Sequence, residues 1–479
     1  MQISERSAAI QCRLTAVDRV IDVQVIRAHP NTLVIAFKPG EQPPSGGVPF
    51  NNAALDLNGR WIDLGRCRIE DGVDIPRRRR EDPPADVALG RLVFKDKIYD
   101  FSGLLVRRVI TDLQQRVNHL PMAWNRRQAI SNEFRSFVAD LLFDLQVYRA
   151  VFEDLDARLA GESQQTRNEL QALAREHEYA RFRTWLDERV AELERITSSL
   201  NRAQHEQHGF YFRKQLRDFI LSSEMLARTN TKPRGYAGDS EVMRLIYENE
   251  FRGPTIFAQF MHKYPVELAA AQAVRNRRKL VGEWVRGRLA RHTGDRPLRV
   301  LSVACGPAEE LQEILLTAED VPRIELTLLD QDPEALSQAH EVIERLTQKL
   351  GLKPRATTVC TSVRTMQQGR SPSDGSTYDL VYSMGLFDYL TDTTATAVLA
   401  WLYGRLSPGG DVLVGNFHVR NPSRTFMEYW ADWTLWYRNE GQLLRLADTL
   451  PGAKSRIDFE ESGCQIFLHV TKSPEPAAR

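Results

Sequence analysis

The sequence predicts an α/β protein in which a doubly wound parallel sheet fills the C-terminal part, behind a helical middle section and a small β-rich N-terminal domain. Short apolar runs alternate with amphipathic segments from Leu298 onward, which is typical of parallel strands covered by helices. Beyond about Val117 apolar residues recur at helical spacing, and before Ile69 they alternate with polar ones. A chain of 479 residues also exceeds one ordinary domain of about 100 to 200 residues.

The β-rich domain is predicted to occupy residues 1–115. From Val23 to Phe37 and from Ala54 to Ile69, β-branched and apolar residues alternate with polar ones, and glycines break the runs. The stretch PRRRREDPP, Pro76 to Pro84, has four arginines and three prolines, so we expect an exposed loop there. A strand-like run, RLVFKDKIYDF, follows it and ends near Phe101.

The helical section is predicted at residues 116–222, because two amphipathic stripes fall in it. The first consists of Phe134, Phe137, Leu141, Leu145, Tyr148, Phe152 and Leu155. The second consists of Leu170, Leu173, Phe182, Leu186, Val190 and Leu193. Glu, Arg and Gln fill the other positions, so these helices are expected to serve packing and spacing.

Composition narrows the classes of partner. Lys and Arg total 64 against 63 acidic residues, and a formal net charge of +1 gives no long-range attraction for nucleic acid. The N-terminus lacks the apolar core of a signal peptide, and no apolar run reaches the roughly 18 residues of a membrane-spanning helix, so we expect a cytoplasmic protein without a transmembrane segment. The five cysteines form no C-x-x-C pair, which argues against disulfides and a metal site.

The sheet domain is predicted at residues 298–479. Its apolar runs are LRVLSVA, IELTLLD, ATTVC, DLVYSM and DVLVGNF, with helices expected from Ala308, from Pro333 and around Ala395. In such a sheet, ligands bind at the carboxyl ends of the strands where the strand order reverses. The loop after the first run is therefore the first place to look for a site.

That loop, Ser302 to Ala308, consists mostly of small residues, which let a ligand approach the backbone. Asp330 ends the second run, where a carboxylate can accept both hydroxyls of a ribose. The two features indicate an adenosine cofactor. A nicotinamide dehydrogenase uses the same acid, but the glycines that admit a pyrophosphate are absent, since Ala304, Gly306 and Glu309 stand in their places.

The motifs VLSVACGPAEEL, LLDQDPEAL, YDLVYSMGLFDYL and LSPGGDVLVGNF resemble, in order and spacing, those of class I S-adenosylmethionine-dependent methyltransferases with a Rossmann-like fold. The likeness covers about residues 298 to 470 and implies S-adenosyl-L-methionine as cofactor. It implies a role in cofactor binding for seven residues: Ala304, Cys305 and Gly306 at the methionine part, Asp330 at the ribose, Ser362 and Val363 at the adenine, and Ser383, with the following residues to Leu386, facing the methyl group.

The sequence departs from that family pattern in two ways. Ser302 stands where an acidic residue is usual, and alanines replace two of the usual glycines. Glu309 and Glu310 are alternative partners for the amino group of the cofactor. Either is also explained as an acid in the first turn of a helix, where the helix dipole favours negative charge.

A cap segment is predicted at residues 223–297, containing KPRGYAGD at its centre. Arg234 can present a fork to a carboxylate, Lys232 supplies a point charge, and Tyr236 is an aromatic between two glycines. This chemistry predicts a clamp for an anionic acceptor. The alternative interpretation is a polar loop that ends in a helix N-cap at Asp239 or Ser240.

KPRGYAGDSEVM, GLFDYL and MEYWADWTLWYR together resemble bacterial fatty-acid methyl ester synthases, which make the quorum-sensing signal 3-hydroxypalmitic acid methyl ester. The likeness spans roughly residues 210 to 470 and implies a carboxylate acceptor. A carboxylate is already ionised at neutral pH and needs no general base. The aromatic residues that could wall an acyl tunnel, or form helix core, are Phe387, Tyr389, Trp430, Trp433, Trp436 and Tyr437.

Other acceptors stay open at this point. His418 follows a strand and could act as a base toward a hydroxyl or amine, and Asp388 and Tyr389 belong to the same strand-end face. A different class of function is a signalling module with a degenerate methyltransferase fold. Arg77 to Arg80, with Asp100-Phe101-Ser102, resembles the motifs of PilZ domains, which bind cyclic di-GMP, although Leu105 stands where that pattern has its last glycine.

Overall fold

The protein is described by a computed structural model, which covers residues 10–16, 19–29, 32–38, 40–41, 44, 49–57, 60–70, 87–94, 129–362 and 376–474. The chain divides into two compact units, Met1–Asn125 and Arg126–Arg479. Each unit is described by itself below. Among the described residues, no helix combines the length and the apolar character that crossing a membrane requires.

The first unit contains a closed six-stranded antiparallel barrel with strand order β1-β2-β3-β6-β5-β4. Alternate residues of its strands face a core that includes Cys12, Leu14 and Phe50, as the period of two in the sequence predicts. The predicted β-rich domain is thus confirmed. Its strands are β1 (Ile10–Thr15), β2 (Val20–His29), β3 (Thr32–Ala36), β4 (Pro49–Leu57), β5 (Arg60–Ile69) and β6 (Leu89–Phe94).

The residues that resemble a PilZ motif lie outside the described part of the chain. This holds for Arg77 to Arg80, for Asp100 to Ser102 and for Leu105. The strand predicted to end near Phe101 is described as far as Phe94. The cyclic di-GMP hypothesis therefore stays a prediction.

The second unit begins with the predicted helical section, which is confirmed. Two long helices, α1 (Asn132–Leu159) and α2 (Gln164–Thr197), start at the serine N-caps Ser131 and Ser163. Six helices follow: α3 (Arg202–Gln215), α4 (Arg217–Ile220), α5 (Glu224–Thr231), α6 (Ser240–Glu248), α7 (Ile256–Glu267) and α8 (Ala269–Arg291).

The first predicted stripe packs into the core of this unit, since Phe134, Leu141 and Leu145 are fully buried. The second stripe is wrong at its start. Leu170 and Leu173 are 38% and 48% exposed, whereas Phe182, Leu186 and Leu193, later in α2, are buried in the core.

The sheet that follows has seven strands in the order β12-β13-β11-β10-β7-β8-β9. The five neighbouring strands β11, β10, β7, β8 and β9 run parallel. At the other edge, β12 and β13 form an antiparallel hairpin, which the sequence analysis did not predict. The strands are β7 (Leu298–Val303), β8 (Ile324–Asp330), β9 (Arg355–Cys360), β10 (Tyr378–Ser383), β11 (Leu406–Phe417), β12 (Ala453–Phe459) and β13 (Gln465–Lys472).

Helices cover this sheet on both faces, as the alternation of apolar runs and amphipathic segments predicts. The order reverses beside β7, because β8 lies on one side of it and β10 on the other. The carboxyl ends of β7, β8 and β10 therefore form a crevice. Helices associated with the sheet are α9 (Leu311–Ile314), α10 (Pro333–Leu350), α11 (Asp392–Gly404), α12 (Arg424–Tyr429) and α13 (Glu440–Arg445).

The prediction of a helix from Ala308 is wrong. Ala304, Gly306 and Ala308 all have left-handed backbone conformations, with φ of 53°, 56° and 53°, so no helix can start before this turn is complete. The short α9 begins only at Leu311.

Candidate active site

A cavity of about 540 Å³ lies at the carboxyl ends of β7, β8, β9 and β10. The loops that follow these strands supply one side of its lining. The residues around Arg234 and the helices α6 and α8 supply the other side. The cavity therefore lies between the sheet and the cap segment, which precedes the sheet in the chain.

The loop after β7 lines the cavity with Ala304, Cys305 and Gly306. Two alanines with positive φ are rare, and such backbone strain costs about 1 to 3 kcal/mol for each residue, which is found mostly at functional sites. The amide of Cys305 donates to the carbonyl of Leu329 at 3.0 Å, which ties the loop to β8. Burial raises the pKa of the Cys305 thiol, which disfavours the reactive thiolate form.

Asp330 lies at the end of β8 and joins two loops of the cavity. Its Oδ2 accepts the backbone N–H of Gly306 at 2.8 Å, and its Oδ1 accepts that of Asp332 at 3.0 Å. The carboxylate is 7% exposed, and burial raises its pKa. Each oxygen keeps a further lone pair, so a rigidly held acceptor for two hydroxyl groups lines the cavity.

The remaining predicted cofactor residues occupy different places. Ser362 lines the cavity together with Thr361, whereas Val363 lies outside the described residues. Ser383 does not line the cavity, because it is the last residue of β10 and is fully buried. The residues that reach the cavity from β10 are the next ones, Met384 to Leu386.

Glu310 is a buried acid in the cavity wall. Its Oε1 accepts a hydrogen bond from the hydroxyl of Tyr382 at 2.8 Å, and burial raises the pKa of the carboxyl to about 7. Glu309 instead forms an ion pair with Arg345 at 2.8 Å and does not line the cavity. Ser302 is buried and does not line it either. Of the two acids left open by the sequence, Glu310 is the one that lines the cavity.

Residues 232–239, here called the strap, form the wall opposite the sheet. Lys232 binds Asp432 at 2.6 Å near one end, and Asp239 at the other end accepts from Arg228 at 2.8 Å and caps α6. Asp239 thus is the N-cap that the alternative interpretation expected, although Arg234, Gly235, Tyr236 and Gly238 still line the cavity.

Arg234 is engaged by protein carboxylates. Its Nη1 donates to Asp332 at 2.7 Å and to Ser240 at 2.6 Å, and its Nη2 binds Glu334 at 2.6 Å. Both acids belong to the start of α10, next to Asp330. The fork therefore holds the strap to the sheet domain, and the clamp predicted for an acceptor is occupied by Asp332 and Glu334.

Two phenols line the cavity between strap and sheet. Tyr236 and Tyr389 stack edge to face at 6.1 Å, and the Tyr389 hydroxyl accepts from Trp433 Nε1 at 2.9 Å. Burial raises the pKa of the Tyr236 phenol, whereas Tyr389 is 37% exposed. Gly238 packs so tightly here that a Cβ would lie 2.4 Å from Trp433 and 2.5 Å from the Tyr389 hydroxyl.

The other candidate catalytic residues do not line the cavity. His418 is 1% exposed and its Nε2 lies 3.3 Å from Glu440. Asp388 accepts the amide of Phe417 at 2.6 Å, and burial raises its pKa to about 7. Both side chains order the end of β11. Of the aromatic residues predicted for a tunnel, Tyr389 lines the cavity, whereas Trp430 belongs to the helical core and Trp436 is exposed.

Sequence reasoning missed three lining residues that come from helices, namely Met243, Tyr247 and Arg277. Arg277 of α8 is 7% exposed. No motif marks it, because an arginine in an amphipathic helix is normally solvated. Its burial depends on contacts with α6 and with the loop after β10, which lie far away in sequence.

The chain was compared with known proteins. Residues 300–410, from β7 into β11, match a family described as a methyltransferase domain. This chain carries a methyltransferase domain. The predictions of methyltransferase activity and of S-adenosylmethionine as cofactor are therefore confirmed.

Several solved structures resemble the methyltransferase at low identity. A protein from Bordetella parapertussis, described as a possible exported protein, is 20% identical, with 62% of this chain and 97% of that chain covered and a TM-score of 0.40. Magnesium protoporphyrin IX methyltransferase from Synechocystis, with bound S-adenosylhomocysteine, is 13% identical, with 43% and 87% covered and a TM-score of 0.33. The chain matches none of the curated proteins.

Proposed function

We propose that the methyltransferase transfers the methyl group of S-adenosylmethionine to the carboxylate of a small-molecule acid, giving a methyl ester. The observation that carries this proposal is the chemistry of the acceptor side of the cavity. It offers the buried Arg277 and the phenol of Tyr236, whose pKa burial raises. His418, the base expected for a hydroxyl or amine acceptor, does not line the cavity, and its Nε2 lies 3.3 Å from Glu440. A carboxylate needs no base.

The residues around the cavity suit the cofactor from end to end. Asp330 would hold the ribose hydroxyls, and the strained loop from Ala304 to Gly306 would approach the methionine part. Ser362 lies beyond β9, on the side implied for the adenine. Glu310 would pair with the amino group, taking the place of the acid that Ser302 replaces.

When bound, S-adenosylmethionine supplies a methyl group on a positively charged sulfur. A carboxylate oxygen would take this methyl group, forming a C–O bond as the C–S bond breaks and its electrons stay on sulfur. No proton has to leave. The protein would therefore have to exclude water and hold the acid in line with the C–S bond. The strap and Tyr236, which line the cavity, suit this role.

For the acid itself we propose a 3-hydroxy fatty acid, as the resemblance to fatty-acid methyl ester synthases implies. The apolar side chains of Met243, Met384, Leu386 and Leu390 line the cavity and suit an acyl chain. A volume of about 540 Å³ lies within the usual range of about 300 to 1,000 Å³ for small-molecule sites. A cytoplasmic location fits this role and stays a prediction.

The experiment combines the protein, methyl-labelled S-adenosylmethionine and a series of 3-hydroxy fatty acids of increasing chain length, with product analysis by mass spectrometry. Matched alcohols and amines of the same chain length serve as controls. The proposal expects label in methyl esters. Label found only in ethers or methylamines would instead favour a methyltransferase for hydroxyl or amine acceptors.

Glu310 gives a prediction for the pH dependence of cofactor binding. Below its pKa of about 7 the carboxyl is protonated and cannot pair with an ammonium group. The Kd of S-adenosylhomocysteine should therefore fall by up to about tenfold between about pH 6 and about pH 8, as the carboxylate forms. Calorimetry across this range measures the effect.

Two variants make the assignment specific. Glu310→Gln should remove the pH dependence, whereas Glu309→Gln, which changes an acid outside the cavity, should keep it. A Glu310→Gln protein with the same pH dependence as the unmodified chain would show that another group titrates.

A further inference from the structure

Arg277 is a buried cation that protein groups satisfy only in part. Its Nη1 donates to the carbonyl of Met384 at 3.4 Å, and its Nη2 lies 3.3 Å from the sulfur of Met243. Its Nε has no hydrogen-bond partner in the described part of the chain. A carbonyl at this distance and a thioether are weak acceptors, so they compensate poorly for removing a guanidinium from water.

Such an arrangement favours an anionic ligand. Burying an ion costs several kcal/mol unless a partner of opposite charge or good hydrogen bonds offset the cost. The charge of Arg277 acts on the nearby carboxyls of Glu310 and Asp388, but among the described residues neither acid forms an ion pair with it, in contrast to Arg234 in the same cavity. Because Arg277 lines the cavity, a bound anion can supply the missing partner.

The position of Arg277 indicates which anion this is. A Cβ at Gly385 would lie 3.4 Å from its Nη1, so the guanidinium covers the loop that follows β10. That loop is implied to face the transferred methyl group. Asp330 is the last residue of β8, and β8 lies two strands from β10 in the order β10-β7-β8. The spacing between strands therefore separates Asp330 from this loop by about 10 Å.

We propose that the guanidinium group of Arg277 binds the carboxylate of the methyl acceptor, an inference that rests on the proposed function. Nη1 and Nη2 have only the weak acceptors Met384 and Met243, so one of them can donate to a carboxylate oxygen instead. One carboxylate oxygen is held and the other stays free to attack the methyl carbon. Tyr247, a partly buried phenol that also lines the cavity, lies beside Arg277.

The test compares Arg277→Met and Arg277→Lys with the unmodified chain. Three quantities are measured: the Kd of S-adenosylhomocysteine, the affinity of a 3-hydroxy fatty acid for the complex with S-adenosylhomocysteine, and the affinity of the matched primary amide. The amide has the same chain without the charge. Replacing a buried charge by methionine should leave the melting temperature equal or higher.

We expect Arg277→Met to weaken binding of the acid at least about tenfold, while S-adenosylhomocysteine and the amide bind within about threefold of their original affinity. Arg277→Lys should restore part of the affinity for the acid, because it keeps the charge and loses the geometry. In turnover, Arg277→Met should raise KM for the acid as its affinity for the acid falls.

Four results would overturn the inference. If S-adenosylhomocysteine binding falls tenfold and acid binding does not, Arg277 holds the carboxylate of the cofactor instead. If acid and amide lose affinity equally, its role is structural. If the unmodified chain forms no ester from any acid, the proposed function fails together with this inference, whereas ester formation with unchanged acid binding in Arg277→Met overturns the inference alone.

Discussion

Replacing Asp330 with alanine is expected to weaken the binding of S-adenosylhomocysteine at least about tenfold. Two ribose hydroxyls would lose a charged acceptor, and hydrogen bonds to charged groups contribute about 1.5 to 3 kcal/mol each. The amides of Gly306 and Asp332 would lose their partner as well, which would release the strained loop after β7. Isothermal titration calorimetry measures the change.

The matched control is Asp295→Ala, which removes the same side chain at an exposed position before β7. It should leave the affinity unchanged. Circular dichroism checks that Asp330→Ala remains folded. Unchanged affinity in a folded Asp330→Ala protein would mean that the ribose does not bind at the end of β8.

The substitution Gly238→Ala is expected to lower turnover at least about tenfold, because the new methyl group would overlap Trp433 and the Tyr389 hydroxyl. Overpacking of this kind costs about 1 to 3 kcal/mol. The strap must move away from the sheet, or the bond between Trp433 and Tyr389 must break. Steady-state rates with a 3-hydroxy fatty acid, together with the affinity for S-adenosylhomocysteine, measure the effect.

Gly287→Ala is the control for this change, because nothing lies within 4 Å of the added Cβ in α8. An alanine in a helix interior should be neutral or slightly stabilising. If Gly238→Ala turns over at the original rate, the strap does not form the acceptor wall, and the acid must enter from another side.

Much of the sheet domain could be predicted from local patterns. Strands buried on both faces give continuous apolar runs, and the loop around Gly306 and the acid Asp330 follow directly from the ends of two such runs. The antiparallel hairpin β12–β13 escaped prediction, because β12 is mostly exposed and the short buried run of β13 does not show the direction in which its strand lies in the sheet.

The acceptor side could be predicted only in part, because it depends on contacts between residues distant in sequence. The strap was recognised from its glycines and cations, but the sequence does not show that Asp332 and Glu334 occupy Arg234. Arg277 lies 107 positions before Met384, whose carbonyl it contacts, so only the folded chain reveals it as a lining residue. Likewise, burial distinguishes Glu310 from Glu309, although the two are adjacent.

The most direct measurement of carboxyl methylation is the stability to mild alkali of the label transferred from methyl-labelled S-adenosylmethionine to a 3-hydroxy fatty acid. Methyl esters release the label as methanol under these conditions, whereas methyl ethers and methylamines keep it. Our account predicts that all of the transferred label is released, and that Asp330→Ala transfers little. Label that stays on the product after alkali treatment would contradict methylation of a carboxylate.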